Sequence, residues 1–198
     1  MDITLFVEQL IAQYSDHVLL LIVLFGLLHP LTENPWSLFT LGLGITVLGA
    51  PVAYVVILTS NMLGVVMLYG IMHWLHRQSG YRLQHSPRIG KALAWLRKTP
   101  MYKHIIVIGL PSVPTYPIKI ALPLTKMRFS RYFTTLLGSY VFLTIANSLI
   151  YYGIFGLVFG DIPEWLSILL LVLFAILVYA GKDLRKLFQS KSNPEVTE

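Results

Sequence analysis

The chain has 198 residues, of which 56% are hydrophobic and only 12% charged, and its mean hydropathy is +0.69. An ordinary soluble domain is about 25% charged, so the composition indicates an integral membrane protein and excludes a soluble globular enzyme. The chain has no cysteine, which excludes disulfides, thiol chemistry and Cys-based metal sites. The formal charge of +6 is unevenly placed. Residues 1–76 contain no Lys or Arg, whereas 77–103 contain Arg77, Arg82, Arg88, Lys91, Arg97, Lys98 and Lys103 and no acid.

Residues 1–16 hold Asp2, Glu8 and Asp16 and no basic run, unlike a secretory leader. Within them Ile3, Phe6, Val7, Leu10, Ile11 and Tyr14 fall at helical spacing opposite polar residues, which predicts an amphipathic helix in the interface. A single transmembrane domain is expected over 17–181; residues 17–31 are strongly apolar but short of the roughly 20 a span needs, so the first helix is expected to begin before His17.

Pro35 and Pro51 then frame an apolar segment rich in glycine, with Glu33 at its mouth. It reads as re-entrant over about 33–51, with crossing as the alternative because no basic residue precedes Arg77 to set its charge parity, and residues 52–76 are long enough to cross. The basic stretch 77–103 lies between apolar segments. The positive-inside rule makes it a cytoplasmic loop with lipid headgroups as neighbours, and nucleic acid is not expected as a partner. Ile89, Leu93 and Leu96 form an apolar stripe beside its cations, the pattern of a short basic interfacial helix.

Residues 104–125 are the most informative. They are apolar, yet they contain Pro111, Pro114, Pro117, Pro123 and Lys119. An interior proline removes a backbone donor and clashes with the preceding turn. Non-helical backbone at membrane depth persists only where protein or a wet cavity satisfies it. The segment is therefore expected to enter and leave from one side, shaped by its prolines. Charge parity agrees. If 104–125 re-enters, Lys126, Arg128, Arg131 and the C-terminal Lys182, Arg185 and Lys186 are all cytoplasmic, and Asp161 and Glu164 are external. Spans follow over 132–156 and 165–181, then a polar tail over 182–198. Gly49, Thr59, Asn61 and Tyr69-Gly70-Ile71 have loose counterparts in Gly138, Thr144, Asn147 and Tyr152-Gly153-Ile154. The expected fold is thus an all-α polytopic bundle with two re-entrant helical hairpins in an inverted repeat.

The Glu33-Asn34-Pro35-Trp36 pattern, the run GLPSVPTYPIKIALPLTKMRFSRYF at 109–133 and YYGIFG at 151–156 resemble the DedA family, also called the VTT group, over roughly 30–156. The resemblance implies two opposed re-entrant hairpins and movement of lipids between leaflets, undecaprenyl phosphate among them. It implies the cytoplasmic membrane of a prokaryote. Lys119 followed by Pro123 stands where family members carry an arginine before a proline, and Leu124-Thr125 replaces the usual Ala-Gly. No second acid follows Glu33 within 36–40.

The candidate transport residues are Lys119, Arg128, Arg131 and Glu33. Lys119 is either a cavity cation for a phosphate headgroup or a lysine snorkelling to the interface. Arg128 and Arg131, three apart, either hold an entering phosphate or anchor a helix end. Glu33 is either a proton-coupling carboxylate or a turn residue before Pro35. The histidines do not have metal-ligand spacing, no cofactor is expected, and no hydrolase or nucleotide motif points to an enzyme. Two transport functions follow. One is a flippase or scramblase for anionic phosphate lipids, and the other is a proton-coupled exporter of small cationic or amphipathic solutes. Either is compatible with a homo-oligomer.

Overall fold

The computed structural model describes residues 17–32, 37–79, 87–111, 113, 115–125, 127–160 and 162–189. The amphipathic segment 1–16, Glu33, Pro35, Pro114, Lys126, Asp161 and the tail from 190 lie outside these residues. All regular elements among the described residues are α-helices. They are α1 (His17–Leu28), α2 (Ser37–Leu48), α3 (Ala50–Ser79), α4 (Pro87–Lys98), α5 (Met101–Gly109), α6 (Tyr116–Leu124), α7 (Phe129–Phe159) and α8 (Glu164–Gln189). Three stretches are long and apolar enough to cross a membrane: Ala50–His76, Phe129–Phe159 and Glu164–Lys182. The protein is therefore a helical membrane protein. It divides into two compact units, Met1–Val66 and Met67–Glu198.

In the first unit α1 lies along α3 through glycine contacts. A methyl group on Gly26 would sit 2.6 Å from Ser60 Cβ, and one on Gly64 would strike the Leu27 carbonyl and lie 2.9 Å from the Pro30 ring. The pairs Gly26–Ser60 and Pro30–Gly64 are each 34 residues apart in sequence. A constant separation means that α1 and α3 run in the same direction. The short α2 makes the return. Gly44 meets Ala53 and Ile57 of α3 and Ile22 of α1, and Ile22, Leu41 and Ile57 form the core. The reversal from α2 into α3 occurs at Gly49, whose φ of 75° favours glycine. Pro51 is the second residue of α3, where a missing N–H costs nothing.

In the second unit α5 lies along α7 in the same way. A methyl on Gly138 would be 3.2 Å from Ile105, and one on Gly109 would be 2.7 Å from Phe142 and 2.8 Å from the Ser139 carbonyl. Ile105–Gly138 and Gly109–Phe142 are each 33 residues apart, so α5 and α7 are also parallel. The chain between them, including α6, must return to the level at which α5 began. Both α5 and α6 are nine residues long, or about 13 Å each, well short of a hydrocarbon core of about 30 Å. The main neighbour of α5 is α7, and that of α6 is α4. The Tyr69 ring on α3 packs on Phe129 and Tyr132, with centroids 5.1 and 5.0 Å away. α7 and α8 form an antiparallel hairpin turned at Gly160 (φ 74°), with Gly153 against Leu171 and Gly156 against Ser167. Small residues permit this close approach between membrane helices.

The sequence expects a span over 17–31 and a re-entrant segment over about 33–51. In the fold α1 is a 12-residue apolar helix parallel to α3, and α2 is a second apolar helix of 12 residues. Twelve residues reach about 18 Å, which is why neither helix suffices as a span. α4 carries the apolar stripe expected beside the basic residues. Its stripe of Ile89, Ala92, Leu93 and Leu96 is buried, and its main neighbour is protein, namely α6.

Candidate functional site

Lys119 is the fourth residue of α6, and its exposure is only 3%. The local sequence explains how α6 is built around it. Leu110, before Pro111, is extended (φ −74°, ψ 128°), as steric clash with a following proline requires. This ends α5. Thr115 caps α6 and its carbonyl receives the N–H of Lys119 at 2.9 Å. Pro117 occupies the first turn, where its fixed φ suits a helix start. Pro123 has no N–H to give the Lys119 carbonyl four residues back, and the helix ends at the next residue, Leu124. The Thr125 N–H and hydroxyl both donate to the Leu122 carbonyl, at 3.1 and 2.7 Å.

The Lys119 ammonium lies over the Tyr140 ring, 5.2 Å from its centroid. A desolvated cation over an aromatic face gains about 2 kcal/mol. Tyr140 is eleven residues into α7 and so about 16 Å from its start. That is roughly half of a 30 Å hydrocarbon core. Lys119 is packed against protein and does not reach an exposed surface.

Tyr140 belongs to a buried polar face of α7 formed by Tyr132, Thr135, Ser139 and Tyr140, each 2% exposed or less. The Thr135 hydroxyl donates to the Arg131 carbonyl at 2.7 Å, and the Ser139 hydroxyl to the Thr135 carbonyl at 2.8 Å. Their hydrogens are thus used within the helix and their lone pairs remain as acceptors. Sequence reasoning missed this face. The signal was present in Tyr132, Leu136 and Tyr140 at i, i+4 and i+8, flanked by Thr135 and Ser139, but single hydroxyls in an apolar run look like ordinary span residues.

Arg128 and Arg131 are both exposed. Arg128 is the N-cap of α7 and Arg131 lies in its first turn, about 13 Å along the axis from Tyr140. They therefore stand at the end of the buried polar face, whereas Lys119 stands in its interior. The three cations do not form one cluster. Arg131 acts electrostatically on His104, the buried residue near the start of α5. The His104 Nε2 is 2.9 Å from the Thr99 hydroxyl, which itself donates to the Trp95 carbonyl at 2.8 Å. That hydroxyl has a single hydrogen, so Nε2–H of His104 must be the donor. Burial first, and then Arg131, hold the imidazole below its usual pKa, partly offset by the Leu96 and Thr99 carbonyls.

The other polar residues flagged by sequence are divided between the units. Asn61 is buried in the first unit and pairs with His29 at 3.3 Å. Asn147 and Tyr151 are buried in the second, where Tyr151 stacks on Phe155 at 4.2 Å. Tyr116 is exposed and Tyr54 packs against the first unit's core. No protein-family model matches the chain, and comparisons with curated proteins and with solved structures likewise find no match.

Proposed function

We propose that the protein is a membrane transporter that moves phosphate-bearing lipids between leaflets, built from two pairs of short helices that each enter and leave the membrane on one side. The observation that carries this reading is Lys119, a lysine buried about 16 Å from the start of the span it faces. A charge at such depth is expensive and marks a substrate path by default. Its ammonium suits a phosphate, while the apolar tail of a lipid stays in the bilayer.

The parallel course of α5 and α7 supports re-entry of the segment between them. Basic residues at both its ends, Lys103 and Arg128, support a cytoplasmic position for those ends. The same course of α1 and α3 supports a second, opposed pair. Because α3 would cross from outside to inside before the basic stretch 77–103, α1 and α2 would enter from outside. Such paired broken segments are the sequence signature of an inverted repeat. Arg128 and Arg131 would receive the headgroup from the cytoplasmic leaflet, and Lys119 would hold it in the interior. The resemblance to the DedA family points the same way, and with it a cytoplasmic membrane location.

The test uses the purified chain in phosphatidylcholine vesicles carrying a trace of fluorescent phosphatidic acid or a fluorescent isoprenyl phosphate. An impermeant reductant bleaches the outer leaflet. Bleaching that continues into the inner-leaflet pool is expected, with and without an imposed pH gradient. Bleaching that stops at the outer-leaflet share, as in protein-free vesicles, would overturn the reading.

A further inference from the structure

The second unit carries a corner of exposed cations where α4 meets α5. All fifteen Lys and Arg residues of the chain lie after position 76, within this unit, whose only acids are Asp161, Glu164, Asp183, Glu195 and Glu198. No Asp or Glu lies between Glu33 and Asp161, so α4, α5, α6 and α7 supply no carboxylate of their own. Most of the unit's positive charge therefore has no acid within the unit to neutralise it.

The fold gathers part of that charge at one place. Only Thr99 and Pro100 separate the end of α4 at Lys98 from the start of α5 at Met101. The corner is pinned from inside. The Trp95 and His104 rings pack with centroids 5.1 Å apart, and the Thr99 hydroxyl joins the Trp95 carbonyl to His104 Nε2. The stripe of α4 is buried, with α6 as main neighbour, and α5 lies along α7. With those faces used, the exposed side chains of 97–103 are Arg97, Lys98, Pro100, Tyr102 and Lys103. Arg131, exposed in the first turn of α7, acts electrostatically on His104, so its charge reaches the same corner.

We propose that this α4–α5 corner binds an anionic phospholipid as a retained lipid rather than as cargo, with Arg97, Lys98 and Lys103 on the headgroup and Tyr102 and Ile106 along an acyl chain. Such binding requires no lipid movement and stands apart from the transport reading.

The chemistry of the surface selects the ligand. A free phosphate or a nucleic acid would use the cations alone. Here an apolar strip continues from them, because Tyr102 and Ile106 are about one turn apart on α5 and are 60% and 45% exposed. Tyrosine favours the headgroup level, where its ring meets acyl chains and its hydroxyl meets water. An anionic phospholipid matches both parts of the surface. The pinned corner also lowers the ordering cost of binding relative to cations on an unconstrained segment.

The test titrates phosphatidylglycerol into the full-length chain in detergent and counts bound lipid by native mass spectrometry. Each basic residue near an anionic lipid contributes roughly fivefold in binding. Replacing all three cations, as Arg97→Gln, Lys98→Gln and Lys103→Gln, is expected to weaken binding on the order of 100-fold. A control with the same loss of charge at the end of α8, Lys182→Gln, Arg185→Gln and Lys186→Gln, is expected to keep the wild-type affinity. Equal weakening in the two sets would reduce the corner to general charge attraction. Absence of bound phosphatidylglycerol on wild type would remove the site. Displacement of the lipid by excess glycerol phosphate, a headgroup without acyl chains, would make it a site for soluble anions. Each of these three results overturns the proposal. The replaced side chains are exposed, so an unchanged thermal midpoint without added lipid is expected. If the triple variant does not fold, Lys103→Gln alone decides, with an expected loss of roughly fivefold and no loss as the contrary result.

Discussion

Replacing Lys119 with methionine is expected to abolish most lipid movement while leaving the protein folded. The two effects separate because of where Lys119 lies. Its chain is 97% buried against protein, so methionine of similar length can fill the space, and volume-conserving core changes usually cost less than about 1.5 kcal/mol. Removing a buried charge also removes its desolvation cost, and apolar replacements of buried ionic groups are often neutral or stabilising. On the proposed function, the loss falls on substrate binding. A hydrogen bond to a charged group contributes about 1.5–3 kcal/mol, which corresponds to a fall in rate of roughly 10- to 100-fold. Tyr140→Phe keeps the aromatic face under the ammonium and is expected to retain more activity than Tyr140→Leu. Thermal midpoint in detergent and lipid movement should be measured together. Full activity in folded Lys119→Met would show that the cation only completes the core.

Gly64→Leu is expected to prevent correct folding, whereas Gly70→Leu on the same helix is expected to be harmless. A Cβ at Gly64 meets the Leu27 carbonyl and the Pro30 ring, and backbone cannot yield as a side-chain tip can. A Cβ at Gly70 meets nothing within 4 Å, and Gly70 is exposed. Overpacking in a tight core costs about 1–3 kcal/mol and at times more. Here it would also part α1 from α3, because Gly26 and Gly64 are the contacts that hold them parallel. A large drop in thermal midpoint or an aggregated elution profile is expected for Gly64→Leu. Equal behaviour of the two variants would show that α1 does not pack on α3 in this register.

Much of this arrangement was legible in the sequence. Hydropathy alone located α3, α7 and α8, because their apolar runs are long. Pro111, Pro117 and Pro123 announced the break between α5 and α6, since each has a fixed effect on the backbone. The role of α1 was not legible. An apolar run of 15 residues looks the same whether it crosses or turns back, and direction is set by its partner. The available clue was a repeat of short motifs. Gly26-Leu27 is followed by Pro30 and Thr32, and Gly109-Leu110 by Pro111, Pro114 and Thr115. Each glycine ends up pressed against a long span. Lys119 stood out in the sequence as a lone charge in an apolar segment, whereas its contact with Tyr140 did not. Nothing in local sequence pairs residues of α6 and α7 once a reversal lies between them.

The most direct test of the central claim uses the natural absence of cysteine. Single cysteines at Lys103 and Arg128, exposed residues on either side of the α5–α6 pair, are exposed to an impermeant maleimide in intact cells and in inverted vesicles. Both are expected to react in inverted vesicles and to be protected in cells if, as proposed, the segment between them enters and leaves on the cytoplasmic side. Reaction of one from outside and the other from inside would make residues 104–125 a crossing segment, and the account built on Lys119 as an interior cation on a re-entrant helix would be wrong.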